Sequence, residues 1–438
     1  MKNKMMTYEE AVRGLNGRGM FLGKNSYEHT QEFLRLLGEP QRSAGEILHI
    51  AGTNGKGSVT AFLESAFRAA GNTTGRFISP HLVRVNERIA VNGTDISDGD
   101  FVRAYEAVCA ADEKMTGKGE PPLGYFEFVM MMALDYFAER GTDVTILETG
   151  LGGRLDATNR VDPKVLTVIT SIGMDHMKLL GNSISEIAGE KAAILRPGVP
   201  CVFYAGSREA EKVIRRRADS LGAPVYPLYG SDYIIDCAAN GVIDFSTSFR
   251  YDGRAEFRIR ASAPYQAQNA ALAALALLAL EERGDFAARL PDAEQTAAGF
   301  ESMYWPARME EILPRVYLDG AHNEDGIRAF VQAARALKGN GPMHLLFAAV
   351  SDKDYRQMIR MLAEGIPWAD VTVTEIGGER NLDAGIPVQL FREAGVQRVT
   401  AVPVLADAFR EVLRRQGDGS VCICGSLYLA GLVKELNV

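Results

Sequence analysis

The chain has 438 residues, with 48 Lys and Arg against 56 Asp and Glu and a formal net charge of −8. That length suggests two or three domains, each able to bury a core. A hydrophobic share of 47% and a charged share of 24% exclude a disordered or fibrous chain, and the acidic balance argues against a general nucleic-acid binder while leaving room for a local cationic pocket for phosphates.

From Met1 to Glu10 the chain carries Lys2, Lys4, Glu9 and Glu10 without an apolar run, so it does not read as a signal peptide. Short β-rich apolar runs then alternate with helical patterns. Ile47 to Ala51 reads as a strand ending in Gly52, and Val59 to Ala70 as a helix. Further strands are expected at Val144–Leu147, Val165–Thr170 and Val199–Tyr204, with helices at Phe126–Glu139, Ile184–Leu195 and Arg208–Leu221. Strand–helix alternation with near-continuous apolar strands predicts an α/β domain built on a mainly parallel sheet. Between Tyr233 and Ile259 the helical period fades, and short runs with Gly241 and Gly253 predict a small antiparallel meander.

Gln266 to Glu282 returns to a strong helix; its apolar stretch Ala270–Leu280 is too short to span a bilayer. Gly284 to Ala298 has mixed signals and reads as a linker or hinge. After it a second alternation begins, with strands at Val316–Leu318, Leu345–Val350, Val371–Val373, Val399–Val402 and Val421–Cys424. The division expected is therefore residues 1–297 and a smaller α/β domain at 298–438. Five cysteines, at 109, 201, 237, 422 and 424, form neither a disulfide framework nor a zinc spacing, so a reducing cytoplasm is expected.

Gly52-Thr53-Asn54-Gly55-Lys56-Gly57-Ser58 follows a strand and opens a helix. Such a loop aims backbone N–H groups at an anion, with Lys56 reaching terminal phosphates and the Ser58 hydroxyl available to magnesium. The strict phosphate-loop pattern is not met, since its first Gly falls at Ile50, and a plain Gly-rich turn is the competing reading. Glu148 ends a strand at the edge where an open α/β sheet places its ligands, and a carboxylate there commonly helps hold magnesium. The glycines from Gly150 to Gly153 let backbone approach a ligand, and Asp156 and Asn159 can fix polar groups. His176 follows the next strand; from the residues alone a lone His is more often a structural hydrogen-bonder than a metal ligand. Lys191 lies on a helix among small and apolar neighbours, where a surface Glu–Lys pair is the plain alternative.

Taken in order, these segments resemble the bacterial folylpolyglutamate synthase/dihydrofolate synthase group of the Mur-ligase superfamily. The matching segments are Gly52–Ser58, Ser79-Pro80-His81-Leu82 with Glu87-Arg88-Ile89, Phe126-Glu127, Glu148–Asn159, Asp175-His176 and Glu190-Lys191. They continue with Gln266 and Asn269-Ala270, Trp305-Pro306 with Arg308 and Glu310, Leu318–Asn323, Asp352-Lys353-Asp354 and Gly425–Tyr428. The resemblance implies an N-terminal ATP-binding domain, a Rossmann-like C-terminal domain, and an active site in the cleft between them. It implies an ATP-dependent ligase that adds L-glutamate to a reduced folate, and in some members to dihydropteroate.

By the same resemblance Lys56, Lys191 and His322 are catalytic. Thr53, Asn54, Gly55, Lys56, Gly57 and Ser58 would bind ATP together with Asn269, Arg308 and Asp319. Ser58, Glu148 and His176 would hold one or two Mg2+ ions, and Lys191 matches a lysine that is often carbamylated. Ser79, His81, Arg88, Phe126, Asp156 and Ala157 would form the folate pocket, and His322 and Ser426 would place glutamate. No organic prosthetic group, nucleic acid or membrane is implied, and a monomer is expected. Three positions depart from the family pattern: Tyr265 where His is usual, Ala307 where Gly is usual, and Gly124 where Ser or Thr is common. Two other functions compete: a Mur-type ligase acting on a cell-wall precursor, and a phosphate-loop nucleotide switch. The Ser79–Ile89 loop weighs against the first, and the Asp319–Asn323 and Gly425–Ser426 segments weigh against the second.

Overall fold

The computed structural model describes residues 6–19, 27–337 and 341–436. The Met1–Met5 part of the N-terminal reading lies outside them. In the strand Glu46–Ala51 every residue after Glu46 is buried, so side chains on both pleat faces need cover and the strand belongs at the centre of a sheet. It is β1 of eight: β2 Thr74–Phe77, β3 Ile89–Val91, β4 Thr94–Asp95, β5 Val144–Glu148, β6 Leu166–Ile169, β7 Cys201–Tyr204 and β8 Val225–Leu228. The order is β4-β3-β2-β5-β1-β6-β7-β8.

From β2 to β8 all neighbours are parallel, as the apolar runs predict. The antiparallel edge formed by β3 and β4 was not expected. Those strands hold three and two residues, too few for a period to register. At the other edge β8 contains Pro227, which cannot donate to a ladder. Because β5, β1 and β6 run side by side in one direction, the chain leaves all three at the same edge of the sheet. Glu148, the Gly52–Ser58 loop and Thr170-Ser171 are therefore neighbours by topology.

The expected meander is a three-stranded sheet of β9 Tyr233–Ala239, β10 Val242–Tyr251 and β11 Arg254–Arg260, in the order β11-β10-β9. Asn240-Gly241 and Asp252-Gly253 turn its corners with positive φ at all four residues, the requirement of a tight hairpin with the right twist. The expected linker at Gly284–Ala298 is corrected in its latter part. Asp292 caps a helix at Ala293–Ser302, with Gln295 bonding back to the cap. Gly299 lies so close to the backbone of Ser65 and Ala66 that a Cβ would sit 2.7 Å from it. Phe300 stacks edge-on against Phe62 with centroids 5.2 Å apart. From Ala293 the chain is thus a seated helix packed against the helix Lys56–Ala69, while residues 284–292 are not helical.

A second sheet holds β12 Glu310–Leu313, β13 Val316–Leu318, β14 Met343–Phe347, β15 Asp370–Val373, β16 Val399–Ala401 and β17 Ser420–Cys424. Its order is β12-β13-β17-β14-β15-β16, parallel except for β12 with β13. Cys422 and Cys424 are fully buried in β17, where burial pushes both thiols up and keeps them out of chemistry. All five cysteines are unbridged. The chain divides into two compact units. The first comprises Met1–Ile234, Ser246–Phe257 and Asn269–Met303, and the second Ile235–Phe245, Arg258–Gln268 and Tyr304–Val438. Among the described residues no helix is long and apolar enough to cross a membrane.

Candidate active site

In the first unit, the loop after β1 is tied to the end of β6. Thr53 donates its N–H to Ser171 O at 2.7 Å, and the Thr170 and Ser171 hydroxyls donate to Asn54 O at 2.7 and 3.0 Å. The Thr53 hydroxyl spans to Gly173 at 3.1 Å. Gly55 caps the helix Lys56–Ala69 with φ +90°, and a Cβ there would meet Asn269 Oδ1 at 2.5 Å. Only glycine fits that backbone and that contact together. Thus Asn269, far off in sequence, lies against the loop.

Lys56 Nζ points back over the loop, donating to Gly52 O and Thr53 O at 3.3 and 3.4 Å, and lies 3.7 Å from Glu148 Oε1. The Ser58 hydroxyl is buried and has no hydrogen-bond partner. An orphaned hydroxyl is costly unless something arrives to bind it. One hydroxyl and one carboxylate suit Mg2+, which takes few protein ligands and completes its shell with water and phosphate oxygens. Among the described residues no group of three or more His, Cys, Asp or Glu gathers as a metal cage. His176 opens the one-turn helix Met177–Leu180 in the left-handed region, at φ +49°, with its exposed ring 3.9 Å from the Asp175 carboxylate.

Lys191 is not a surface lysine. Its side chain is 3% exposed and its Nζ donates to Gly52 O at 2.8 Å. Burial, and then the nearby Lys56 charge, lower its pKa from the ordinary 10.5 to about 7, with Asp175 pulling the other way. An amine held near neutrality has the lone pair that an ordinary lysine lacks.

The residues expected at a folate pocket also lie in the first unit. Arg88 Nε donates to His81 Nδ1 at 2.8 Å, and its guanidinium lies 5.2 Å from the Tyr125 ring centre. Burial and the Arg88 charge drive the His81 pKa down to about 4, so its ring is neutral at physiological pH. Phe126 stacks near Phe77 at 5.3 Å and occupies the space where a side chain on Gly150 would be. Asp156 is buried and accepts from Leu151 N at 2.8 Å and from the Thr158 hydroxyl at 2.5 Å, next to buried Ala157. The Ser79 hydroxyl is buried without a partner. Glu87, which carried only motif value in the sequence, accepts the N–H groups of Leu82, Val83 and Arg84 and so shapes the loop between Ser79 and Arg88.

In the second unit, β13 and β17 are parallel neighbours, so Asp319–His322 and Gly425-Ser426 emerge side by side, joined by Gly425 N to Ala321 O at 3.0 Å. Asp319 is 3% exposed and its carboxylate is heavily used. Oδ1 accepts Ala321 N at 2.8 Å; Oδ2 accepts Met309 N at 2.9 Å and the Tyr265 hydroxyl at 2.7 Å. It holds the segment at Ala307–Met309, where both of those residues have positive φ and Arg308 donates to Ala307 O. His322 Nδ1 lies 2.8 Å from Gly320 O, so Nδ1 carries the proton, since a carbonyl only accepts. Ser426 caps the helix Leu427–Glu435, accepting Tyr428 N at 3.0 Å. Tyr265, read in the sequence only as a departure, is thus a partner of Asp319; the signal was its place just before Gln266.

A phosphate-type loop on a parallel sheet, followed by a second parallel-rich unit, is the arrangement that the Mur-ligase resemblance implies. Residues 307–427 match the family model described as the Mur ligase, glutamate ligase domain. The dihydrofolate synthase/folylpolyglutamate synthase of Bacillus subtilis (strain 168) is 39% identical over 362 residues, covering 81% of this chain and 82% of the relative. The folylpolyglutamate synthase of Mycobacterium tuberculosis complexed with ADP superposes with a TM-score of 0.86 at 29% identity, covering 98% of each chain. E. coli FolC in complex with DHPP and ADP gives 0.84 at 27% identity, covering 99% of this chain and 98% of that one. The chain belongs to the dihydrofolate synthase/folylpolyglutamate synthase family.

Proposed function

We propose that this ligase activates the carboxylate of a pterin substrate with ATP and joins it to the amine of L-glutamate. The observation that carries the reading is the Gly52–Ser58 loop, with Lys56 beside Glu148 and a buried, unpartnered Ser58 hydroxyl. A carboxylate is a poor electrophile because its leaving group would be oxide. Phosphoryl transfer converts it to an acyl phosphate, and the glutamate amine then displaces phosphate. Such transfer needs alignment and charge neutralisation more than covalent help from the protein. Lys56 supplies positive charge at the γ-phosphate, and the loop N–H groups of Thr53 to Ser58 cradle the rest of the chain of phosphates. When bound, Mg2+ held by Ser58, Glu148 and His176 offsets phosphate charge that would repel the incoming carboxylate.

Asn269, Arg308 and Asp319 complete ATP binding, Asp319 chiefly by fixing the Arg308 segment. Ser79, His81, Arg88, Phe126, Asp156 and Ala157 receive the pterin substrate. His322 and Ser426 place glutamate. Lys191 takes up carbon dioxide to form a carbamate: its neutral amine gains the carboxyl group and releases one proton. The near-neutral pKa of its buried nitrogen supports this, because only the unprotonated amine reacts. Reduced folate is the substrate, with dihydropteroate as a second acceptor, and the enzyme works as a cytoplasmic monomer. The test is glutamate-dependent phosphate release with tetrahydrofolate and dihydropteroate in parallel. Release with either substrate, and none without glutamate, is the expected result. Equal ATP hydrolysis without acceptor would instead favour a nucleotide switch.

A further inference from the structure

His49 sits in the middle of β1, between Leu147 of β5 and Thr167 of β6 in the register of the sheet. It is fully buried among strands otherwise dominated by apolar side chains. A polar ring there is costly unless it is bonded, so its presence calls for an explanation. Its Nε2 lies 2.7 Å from the Thr158 hydroxyl, which in turn donates to Asp156 Oδ1 at 2.5 Å. Thr158 has one hydroxyl proton and gives it to the carboxylate, so His49 Nε2–H must be the donor to Thr158. Burial first, and then the Lys164 and Arg196 charges, keep the ring neutral and in that single-donor form.

The other ring nitrogen, Nδ1, is buried without a hydrogen-bond partner. This asymmetry is informative. An apolar ring would fill the site without an orphaned nitrogen, so His49 is a poor choice for stability alone. What it adds is direction. Asp156 has Oδ2 fixed by Leu151 N at 2.8 Å, and Oδ1 fixed by Thr158 through both its N–H at 3.0 Å and its hydroxyl. A donor on the far side of the hydroxyl favours its alignment toward Asp156, and His49 supplies one from a central strand of the sheet.

We propose that His49 is a positioning residue for the pterin substrate. It acts through Thr158 to orient the Asp156 carboxylate toward the hydrogen-bond donors of the pterin ring. This rests on the reading of Asp156 as a folate-pocket residue. Four variants of the full-length enzyme test it: Thr158→Val, His49→Phe, His49→Gln and Asp156→Ala. KM for the pterin substrate (tetrahydrofolate or dihydropteroate, whichever turns over), KM for ATP, kcat and Tm are measured for each.

Thr158→Val removes the bonds on both sides of its hydroxyl at nearly constant volume, and His49→Phe removes the His49 link with a somewhat larger apolar ring. The expected result is a rise of about tenfold in pterin-substrate KM, the scale of one lost hydrogen bond to a charged group, with ATP KM within about twofold. His49→Gln places an amide N–H near the Nε2 position and restores pterin KM to within about threefold of wild type, the same bond being remade. A purely structural His49 would move Tm without separating the two KM values, or would make Phe and Gln behave alike; either outcome overturns the proposal. If His49→Phe does not fold, the isosteric Thr158→Val decides. Silent His49 and Thr158 variants beside an Asp156→Ala that raises pterin KM sink the positioning role alone. A silent Asp156→Ala sinks the folate-pocket reading and this proposal with it.

Discussion

Two polar loops leave the carboxyl ends of parallel strands in this chain, one in each unit, and they are finished differently. After β13, the Asp319 carboxylate takes three donors from within the fold. After β1, the Ser58 hydroxyl is buried with no partner, and Lys56 reaches back to loop carbonyls at 3.3 and 3.4 Å, long for a charged donor. A polar group bonded on several sides first holds its own surroundings in place. A buried hydroxyl without a protein partner carries a cost that a ligand or a water molecule can relieve. Polar side chains thus brace the fold in one loop and stay available for further bonding in the other.

The largest expected effect is at the loop after β1. Lys56→Ala should cut the ligation rate by roughly 10²-fold or more while circular dichroism and Tm stay near wild type, because the cation serves transferring phosphate. Activity within about twofold of wild type would break the contrast at its strongest point. Next comes the loop after β13. Asp319→Asn keeps the shape but replaces one acceptor oxygen with a donor, so it should cost about 2–3 kcal/mol of stability, read from a denaturant midpoint. Hydrogen exchange should quicken first in residues 307–323. An unchanged midpoint would show that the three bonds carry little.

Ser58→Ala sharpens the comparison by separating stability from function. No protein bond is lost, so Tm of the enzyme without nucleotide should hold or rise slightly. The Mg2+ concentration for half-maximal rate should climb about tenfold, as for loss of a supporting metal contact. A large fall in Tm without nucleotide would mean the hydroxyl had a structural partner after all.

A last test concerns Lys191, whose folded pKa is lowered to about 7 against an ordinary 10.5. Between those values the unfolded chain holds a proton that the folded chain has released, so stability must rise with pH across that window. Below about 7 the lysine is charged in both states and the cost of burying it is fully present. In carbon-dioxide-free buffer, the wild type should therefore gain Tm from pH 7 to 9 relative to Lys191→Met. Parallel Tm profiles for the two would refute the buried-amine account.

Much of this architecture was legible in the sequence because it depends on local patterns. The apolar run at Ile47–Ala51, the glycines around Lys56 and the helix at Arg208–Leu221 each announce themselves within a few residues. The meander was readable from Gly241 and Gly253 for the same reason. What escaped were features set by distant partners. The helix Ala293–Ser302 looked like a linker because Gly299 and the small residues around it make sense only against Ser65 and Ala66. β3 and β4 were missed because three and two residues carry no period. At the site, the positions of Lys56 and Glu148 followed from motif and strand end. The burial of Lys191 and the bond between Tyr265 and Asp319 did not, since both arise from segments that meet only in space.

The borders of the first sheet have a consequence for the chain's life before and between catalytic cycles. One border is β4, two exposed residues ending in Asp95; the other is β8, which contains Pro227. A sheet border is a row of unpaired amides that invites the same border of another molecule, and long apolar borders seed insoluble aggregates. Here one border is too short and too charged to template a partner strand, and the other has a missing donor at its proline. The central strands, apolar enough to be hazardous if exposed, are thereby shielded at both flanks. Replacing Pro227 with a β-branched residue would restore a donor at that border and erode the protection without touching a single residue of the site.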